Sequence, residues 1–501
     1  MKKVTTALVA TGLVVVSSPA MATNGYFTHG VGTDSKGMAG AGVGSPENLG
    51  GIAAATNPAL AVFADEKWQI GLALFSPMRS YETRGGVGGQ MGAFTLSTGE
   101  YDSENEAFPI PYVAKNWILD SGNALSFVFY GRGGMNTEWS GDQTFAFESP
   151  AVNPQTGDLF RDEGGAAIQF PVQAPGVFGG GLFGSEMATA GVDLMQAFAS
   201  VNYTWKVSDN FAIGFGPVFA AQLFEATGLP LFGRFTQTAA GSFPNYFGAC
   251  LQQGAPMDLC EFAAGGQAMM DATSLTNNGH DMSTGFGGSI GLWGGTQNFS
   301  YGLAYQSTIS MSEFDDYSDL YAQSGGFDIP STIKAGISFM AGDSMRINLD
   351  IEHIGYSDVD SVHNSIMNLI TGCYMAGFVP PPESSGCLGG ESGAGFGWED
   401  MTVYKAGFSW NSDDKNTWRF GFSFGEQPIP SSEVLFNIMA PGVMETHLTV
   451  GWTSERPSGN VMSWSLMYAP PKEITGPSTF DPLQSITLEM SQFELEFAYR
   501  F

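Results

Sequence analysis

Two stretches have the spacing of a hydrolase nucleophile elbow: Gly287-Gly-Ser289-Ile-Gly291 and Gly421-Phe-Ser423-Phe-Gly425. That motif works only at a strand–turn–helix corner, where the serine hydroxyl is lifted clear of a sheet. Here both serines stand inside alternating, glycine-rich runs, so the matches read as chance. The five histidines, at 29, 280, 353, 363 and 447, have no metal-ligand spacing. Asp315, Asp316 and Asp319 lack the glycine and terminal glutamate of a calcium loop and read as a solvated loop. Cys250, Cys260, Cys373 and Cys387 allow three connectivities. The simplest is Cys250–Cys260 and Cys373–Cys387, each pair inside one irregular stretch, and an oxidising compartment would permit it. The residues therefore predict no enzyme, no catalytic residue, no metal and no cofactor.

The elements around these residues explain why chemistry is absent. Of 501 residues, 68 are glycine and only 14 % are charged, while 13 % are aromatic. The mean hydropathy is zero. Apolar residues are too plentiful for disorder. Past the N-terminus no apolar run is long enough for a spanning helix. The formal charge of −30 excludes nucleic acid as a partner, because phosphate binding needs a basic surface.

Lys2 and Lys3, the apolar stretch Ala7 to Val16 and the small-x-small end Ala20-Met21-Ala22 form the pattern of a secretory signal peptide over residues 1–22. Cleavage is expected after Ala22.

Alternation dominates the rest. Phe493, Leu495, Phe497, Tyr499 and Phe501 share one face, opposite Glu494, Glu496, Ala498 and Arg500. Trp418 to Gly425, Met345 to Glu352 and Phe299 to Gln306 repeat the pattern. Apolar residues toward lipid and polar or tiny ones toward a lumen are the signature of a transmembrane barrel. A barrel must close, because lipid offers nothing to unpaired edge amides. Fourteen segments are predicted: 67–75, 107–119, 123–131, 194–207, 210–226, 281–293, 298–311, 327–340, 344–356, 398–410, 416–425, 444–453, 460–468 and 487–501. The connections alternate strictly between short and long. One rim then has tight turns and the other large outer loops, which hold both cysteine pairs. The predicted fold is all-β: a 14-stranded antiparallel transmembrane β-barrel over 67–501, in the bacterial outer membrane. Residues 23–66 do not alternate. They are glycine-rich, compact and poor in charge, and read as a plug folded into the lumen.

Several motifs resemble one family, the FadL-type outer-membrane transporters of long-chain fatty acids and hydrocarbons. They are Gly30 to Val43, Asn57-Pro58-Ala59, Tyr130 to Trp139, Gln427 to Pro430 and the aromatic C-terminus. The resemblance implies a fourteen-stranded barrel with an N-terminal hatch carrying Asn57, Pro58 and Ala59 as structural or gating residues. It implies capture of a hydrophobic small molecule on outer loops, transfer to a lumen pocket, hatch movement and lateral exit into the membrane. Tyr26 and Phe27 become candidate ligand contacts. The 227–280 loop offers Phe232, Phe235 and Phe247 for capture; equally, these pack the loop around the Cys250–Cys260 staple. A helix-like apolar stretch from Val177 to Met195 would assist. Gly131, Gly133 and Gly134 suit a bend for lateral exit, or a plain loop start at the rim. Inward cations Lys334, Arg346, Lys405, Arg419 and Arg500 are candidates for a carboxylate, or simply pair with Asp350, Glu352, Glu494 or Glu496. The expected partners are the hydrophobic ligand, outer-membrane lipid and lipopolysaccharide, with the chain a monomer. A general diffusion porin or an adhesin is the alternative.

Overall fold

A computed structural model describes residues 24–47, 49–86, 95–96, 98–139, 147–150, 169–172, 189–373 and 384–501. The expected signal peptide and most of the Val177–Met195 stretch lie outside these residues. Fourteen antiparallel strands form the wall: β1 (Trp68–Gly85), β2 (Phe108–Ile118), β3 (Ala124–Trp139), β4 (Ala190–Ser208), β5 (Phe211–Thr227), β6 (Asp281–Gly295), β7 (Phe299–Gln306), β8 (Thr332–Met340), β9 (Met345–Ile354), β10 (Met401–Asn411), β11 (Asn416–Gly425), β12 (Thr446–Glu455), β13 (Val461–Pro477) and β14 (Gln484–Arg500). Each pairs with its sequence neighbours, and β1 pairs with β14, so the fourteen strands close into a ring.

Alternation sets which way each side chain points. Ile70, Leu72, Leu74, Phe219, Phe286, Phe420 and Phe497 are exposed on the outer face. Asn116, Asn202, Asn348, Glu352, Lys405 and Glu496 are buried on the inner one. Trp418 meets Trp464 edge-on at 6.2 Å close to the short-turn rim and pairs across strands with exposed Trp410; exposed Trp205 lies near the same rim on β4. These rings form part of the aromatic belt expected where a barrel meets the membrane–water interface.

The strand boundaries differ from expectation where bulges intervene. The strand expected to stop at 131 runs to Trp139 across a register shift between Gly131 and Gly133. The glycine cluster is therefore a bulge within a strand, not a loop start. The last hairpin also continues past Pro470 and Pro471, which the sheet accommodates by a second shift between Ala469 and Lys472. Strands β13 and β14 thus reach 477 and 484, and the loop expected at 469–486 shrinks to 478–483. The segment expected at 298–311 breaks after Gln306 and rejoins β6 only at Ser310–Met311. That expected at 327–340 starts late, at Thr332, because Pro330 has no amide to give a ladder. Residues 190–195 of the helix-like stretch are strand β4.

The turns at 119–123, 209–210, 296–298, 341–344, 412–415 and 456–460 crowd one rim. At the other, two helices, Gln237–Gln252 and Met257–Asp271, form a hairpin joined by Cys250–Cys260. Cys373–Cys387 is the second disulfide. The simplest connectivity is thus the observed one.

Inside the wall lies the segment 24–64, whose described residues are nearly all buried. It has one helical turn, Thr33–Lys36, and two tight turns, Gly51–Ala55 and Pro58–Phe63. Charge and amide contacts fasten it. Lys36 Nζ lies 2.9 Å from Glu494 and 2.7 Å from Glu496. Asp350 Oδ2 accepts from the Gly42 and Val43 amides at 2.7 and 2.9 Å. Asn57 is fully buried. Its amide donates to the Val43 and Leu292 carbonyls at 2.8 and 3.0 Å, and its Oδ1 caps the next turn by accepting from Ala59 N–H. The wall makes room with glycine: a Cβ at Gly291 would strike Asn57 Oδ1, and one at Gly214 would strike the Pro58 backbone.

Candidate functional site

The long loops interlock above the lumen. Leu388 N–H donates to the Phe235 carbonyl and Gln237 N–H to the Leu388 carbonyl, both at 2.9 Å. Beneath this lattice is a small, partly open cavity. Its lining comes from β4 (Val192), the turn after β5 (Leu229, Phe232), Leu320 and Tyr321, the 355–400 loop (Leu388, Phe396) and Leu435, Phe436 and Met439. No charged side chain is among the lining residues, and the Ser361 hydroxyl is committed to the Gly326 carbonyl at 2.5 Å. A site so lined suits an apolar molecule.

Of the three loop phenylalanines, Phe232 lines the cavity and meets Phe436 edge-on at 5.4 Å. Phe235 is buried beside it and stacks on Phe480 at 5.7 Å. Phe247 stacks on Phe243 at 5.6 Å, in the separate core of the helical hairpin.

From the cavity a chain of rings leads inward. Tyr321 contacts Phe327 at 4.7 Å, and Phe396 contacts Trp398 at 6.3 Å. Phe327, Trp398 and Tyr356 surround Tyr26 at 6.1, 5.7 and 5.3 Å. Phe27 lies against Tyr356 and under the Arg132 guanidinium, 4.3 Å from its ring centre. Arg132 is the residue bulged out between Gly131 and Gly133. The backbone around it also binds the N-terminal segment. Gly134 N–H donates to the Tyr26 carbonyl at 3.0 Å, and Thr28 N–H to the Arg132 carbonyl at 2.8 Å. The structure thus brings Tyr26 and Phe27 together with Gly133 and Gly134, with the cavity two rings away. Asn57, Pro58 and Ala59 lie apart, against β5 and β6.

All five inward cations are paired. Lys334 and Lys405 meet Glu352 at 3.3 and 2.6 Å, as does Arg132 at 3.1 Å. Arg346, Arg419 and Arg500 meet Glu47, Asp34 and Asp65 at 2.8, 3.1 and 3.0 Å. The last three partners belong to residues 24–65 rather than to the wall carboxylates expected, because the N-terminal segment brings its own acids to the lumen face.

The serine motifs sit where no elbow can form. Ser289 and Ser423 are mid-strand in β6 and β11. Ser423 does contact a histidine: its Oγ lies 3.0 Å from His447 Nδ1, its direct cross-strand partner. Yet His447 Nε2 has no acid to orient it, and its ring stacks on His29 at 5.6 Å in a fully buried layer. Asp319, expected in a solvated loop, is buried, and its backbone amide donates to the Ser274 carbonyl at 2.9 Å.

The family model described as "Outer membrane protein transport protein (OMPP1/FadL/TodX)" matches residues 177–453, more than half of the chain. The chain belongs to this family. FadL/TodX membership agrees with the closed fourteen-strand wall and makes this an outer-membrane transport protein rather than an enzyme. The fold is similar to that of the Pseudomonas putida toluene transporter TodX, at 15 % identity over 94 % of this chain and 98 % of that one, with a TM-score of 0.54. The Ralstonia pickettii toluene transporter TbuX is similar at 15 % identity, 94 % and 98 % coverage and a TM-score of 0.52. A Pseudomonas aeruginosa FadL homologue gives 13 % identity, 95 % and 99 % coverage and a TM-score of 0.55. No curated protein matches the sequence.

The sequence reading missed Tyr321, Phe327, Tyr356, Trp398 and the 434–439 segment. All are in long loops or just past a strand end, where no period marks an inward face. Aromatic residues and methionine are no commoner in those loops than in the whole chain, so composition carried no signal either.

Proposed function

We propose that this FadL/TodX-family protein carries small hydrophobic compounds across the outer membrane, with neutral hydrocarbons preferred to fatty acids. The carrying observation is the apolar cavity next to a lumen whose named cations are all paired. A carboxylate moved into that cavity would lose its hydration with no partner to replace it. A hydrocarbon loses nothing and gains burial, about 25 cal/mol per Å² of apolar surface.

In this reading residues 1–22 direct export and are removed, 23–66 form the hatch and 67–501 the channel. The outer loops capture the ligand, with Phe232 and Phe235 at the cavity. The hatch, held at Asn57, Pro58 and Ala59, closes the route to the periplasm. Exit is lateral, at the Gly131–Gly134 bulge, where the wall's own pairing is interrupted and the N-terminal segment supplies hydrogen bonds. The chain works as a monomer, with lipid and lipopolysaccharide around it.

The test compares uptake of radiolabelled toluene and oleate by cells making the full protein or one lacking residues 23–45. Saturable toluene uptake that is lost on deletion is the expected result. A large steady conductance from the intact purified barrel would instead mean a diffusion porin.

A further inference from the structure

Asp193 on β4 and Glu225 on β5 are direct cross-strand partners near the long-loop rim. Their neighbours Val192, Leu194, Phe224 and Ala226 are buried inward, so both carboxylates lie on the outer face. One step down that face come Met195, Leu223 and exposed Met282, where the apolar band begins. The pair therefore sits just outside the lipid. Like charges directly opposite each other destabilise a strand pair. His280, the last residue before β6, resolves the conflict. Its Nε2 lies 2.9 Å from Asp193 Oδ2 and its Nδ1 3.0 Å from Glu225 Oε2.

A neutral imidazole has one N–H. With both nitrogens on carboxylate oxygens, a neutral ring would turn one lone pair against an oxygen. Only the doubly protonated ring donates both bonds. The His280 side chain is 35 % exposed, so solvent protons reach it. Asp193 and Glu225 have no other cation in bonding contact among the described residues. Glu138 on β3 and Arg79 on β1 lie near Asp193. Asp281 is turned away, accepting from the Met282 and Asp316 amides at 2.7 and 3.0 Å. The Tyr317 hydroxyl donates to the Gly279 carbonyl at 2.6 Å.

This bridge closes the neck of the 227–280 loop. Beside it Asn277 N–H donates to the Ala226 carbonyl at 2.8 Å, Gly228 N–H to Asn277 Oδ1 at 3.1 Å and Leu229 N–H to Thr276 Oγ1 at 3.2 Å. Val192 and Leu229, at the same strand ends, line the apolar cavity.

We infer that His280 is a proton-operated clasp on the neck of the capture loop, closed in acid and open in base, that sets how fast a ligand enters and leaves the cavity. Losing one ring proton breaks one contact and leaves Asp193 and Glu225 repelling each other, which loosens the cavity wall at Val192 and Leu229. Histidine changes charge between about pH 5 and 8, so the clasp is complete at the acid end and lost as pH rises. The inference rests on the transport reading above and adds regulation of the same cavity.

Toluene has no group that titrates, so any pH dependence of its binding belongs to the protein. The experiment follows exchange of toluene between bound and free states by NMR, on the full-length protein in nanodiscs, at about pH 5.5 and about pH 8. Exchange about three-fold slower at the lower pH is expected, the size of a partly exposed ion pair. Glu225→Gln should be slow at both, because its amide donates to the bare nitrogen of a neutral ring. His280→Ala should be fast at both. Nitrogen NMR of the His280 ring should show two N–H groups at the lower pH and one at the higher. Wild-type exchange that ignores pH, or a pH dependence that survives in His280→Ala, overturns this inference alone. If the wild type shows no saturable toluene binding at either pH, the transport reading fails, and amide exchange at Asn277 and Gly228 still decides the clasp. Greater protection there in acid, after correction for intrinsic rates, upholds it; equal protection at both pH values overturns it.

Discussion

Asn57 shows how much one side chain carries. It caps a turn, joins that turn to Val43 and reaches the β6 backbone at Leu292. A buried hydrogen bond contributes on the order of 1 kcal/mol, and groups left unpaired add to the loss. Asn57→Ala should therefore weaken docking of the N-terminal segment by about 2–4 kcal/mol, with the barrel itself intact. Faster amide exchange across residues 43–60, with unchanged heat-modifiable gel mobility, would report it. Phe232 and Phe247 make a matched pair, since one lines the cavity and the other the hairpin core. Phe232→Ala should weaken toluene binding about ten-fold, roughly 1.4 kcal/mol. Phe247→Ala should leave binding unchanged and make the hairpin more sensitive to protease.

At the scale of elements, the bulge in β3 and the helical hairpin are the features most open to test. Deleting Arg132 removes the extra residue and restores a regular ladder between β3 and β4. It also removes the ion pair to Glu352. Arg132→Met separates the two effects, because it loses the charge and keeps the bulge. If exit is lateral, the deletion should abolish toluene uptake while Arg132→Met retains most of it, as measured in whole cells. The Cys250–Cys260 bond closes a loop of sequence separation 10. Chain entropy puts its contribution at about 3 kcal/mol. Changing both cysteines to serine should raise proteolysis within 237–271 and leave the wall unaltered.

For the molecule as a whole, the N-terminal segment and the wall share one charge network. Lys36 lies between Glu494 and Glu496, and removing it leaves two buried carboxylates without their cation. Breaking a buried pair on one side costs about 3–5 kcal/mol. Lys36→Met should therefore loosen the segment and raise single-channel conductance. Lys36→Met with Glu494→Gln and Glu496→Gln should restore the closed state, because the penalty lies in the unpaired charge and not in the lost attraction.

The period of two determined the wall by itself. Outward Phe493 and Phe497, inward Glu494 and Glu496, and the alternation of short and long connections fixed strand number, facing and rim, because lipid on one side and a lumen on the other leave a strand no second choice. Both disulfide pairings followed from proximity in sequence. The candidate site was legible only in part. Tyr26, Phe27 and Phe232 stood out as aromatics in non-alternating segments, but the sequence did not join them to each other. Whether Gly131–Gly134 ended a strand or bulged within one also depended on what pairs with β4 beyond it. The partners of the lumen cations were decided only when the N-terminal segment folded inside and brought Asp34, Glu47 and Asp65 to them. Tertiary structure alone closed the aromatic box, because Tyr26 lies more than 300 residues before Phe327, Tyr356 and Trp398 and meets them only once the ring of strands has closed around it.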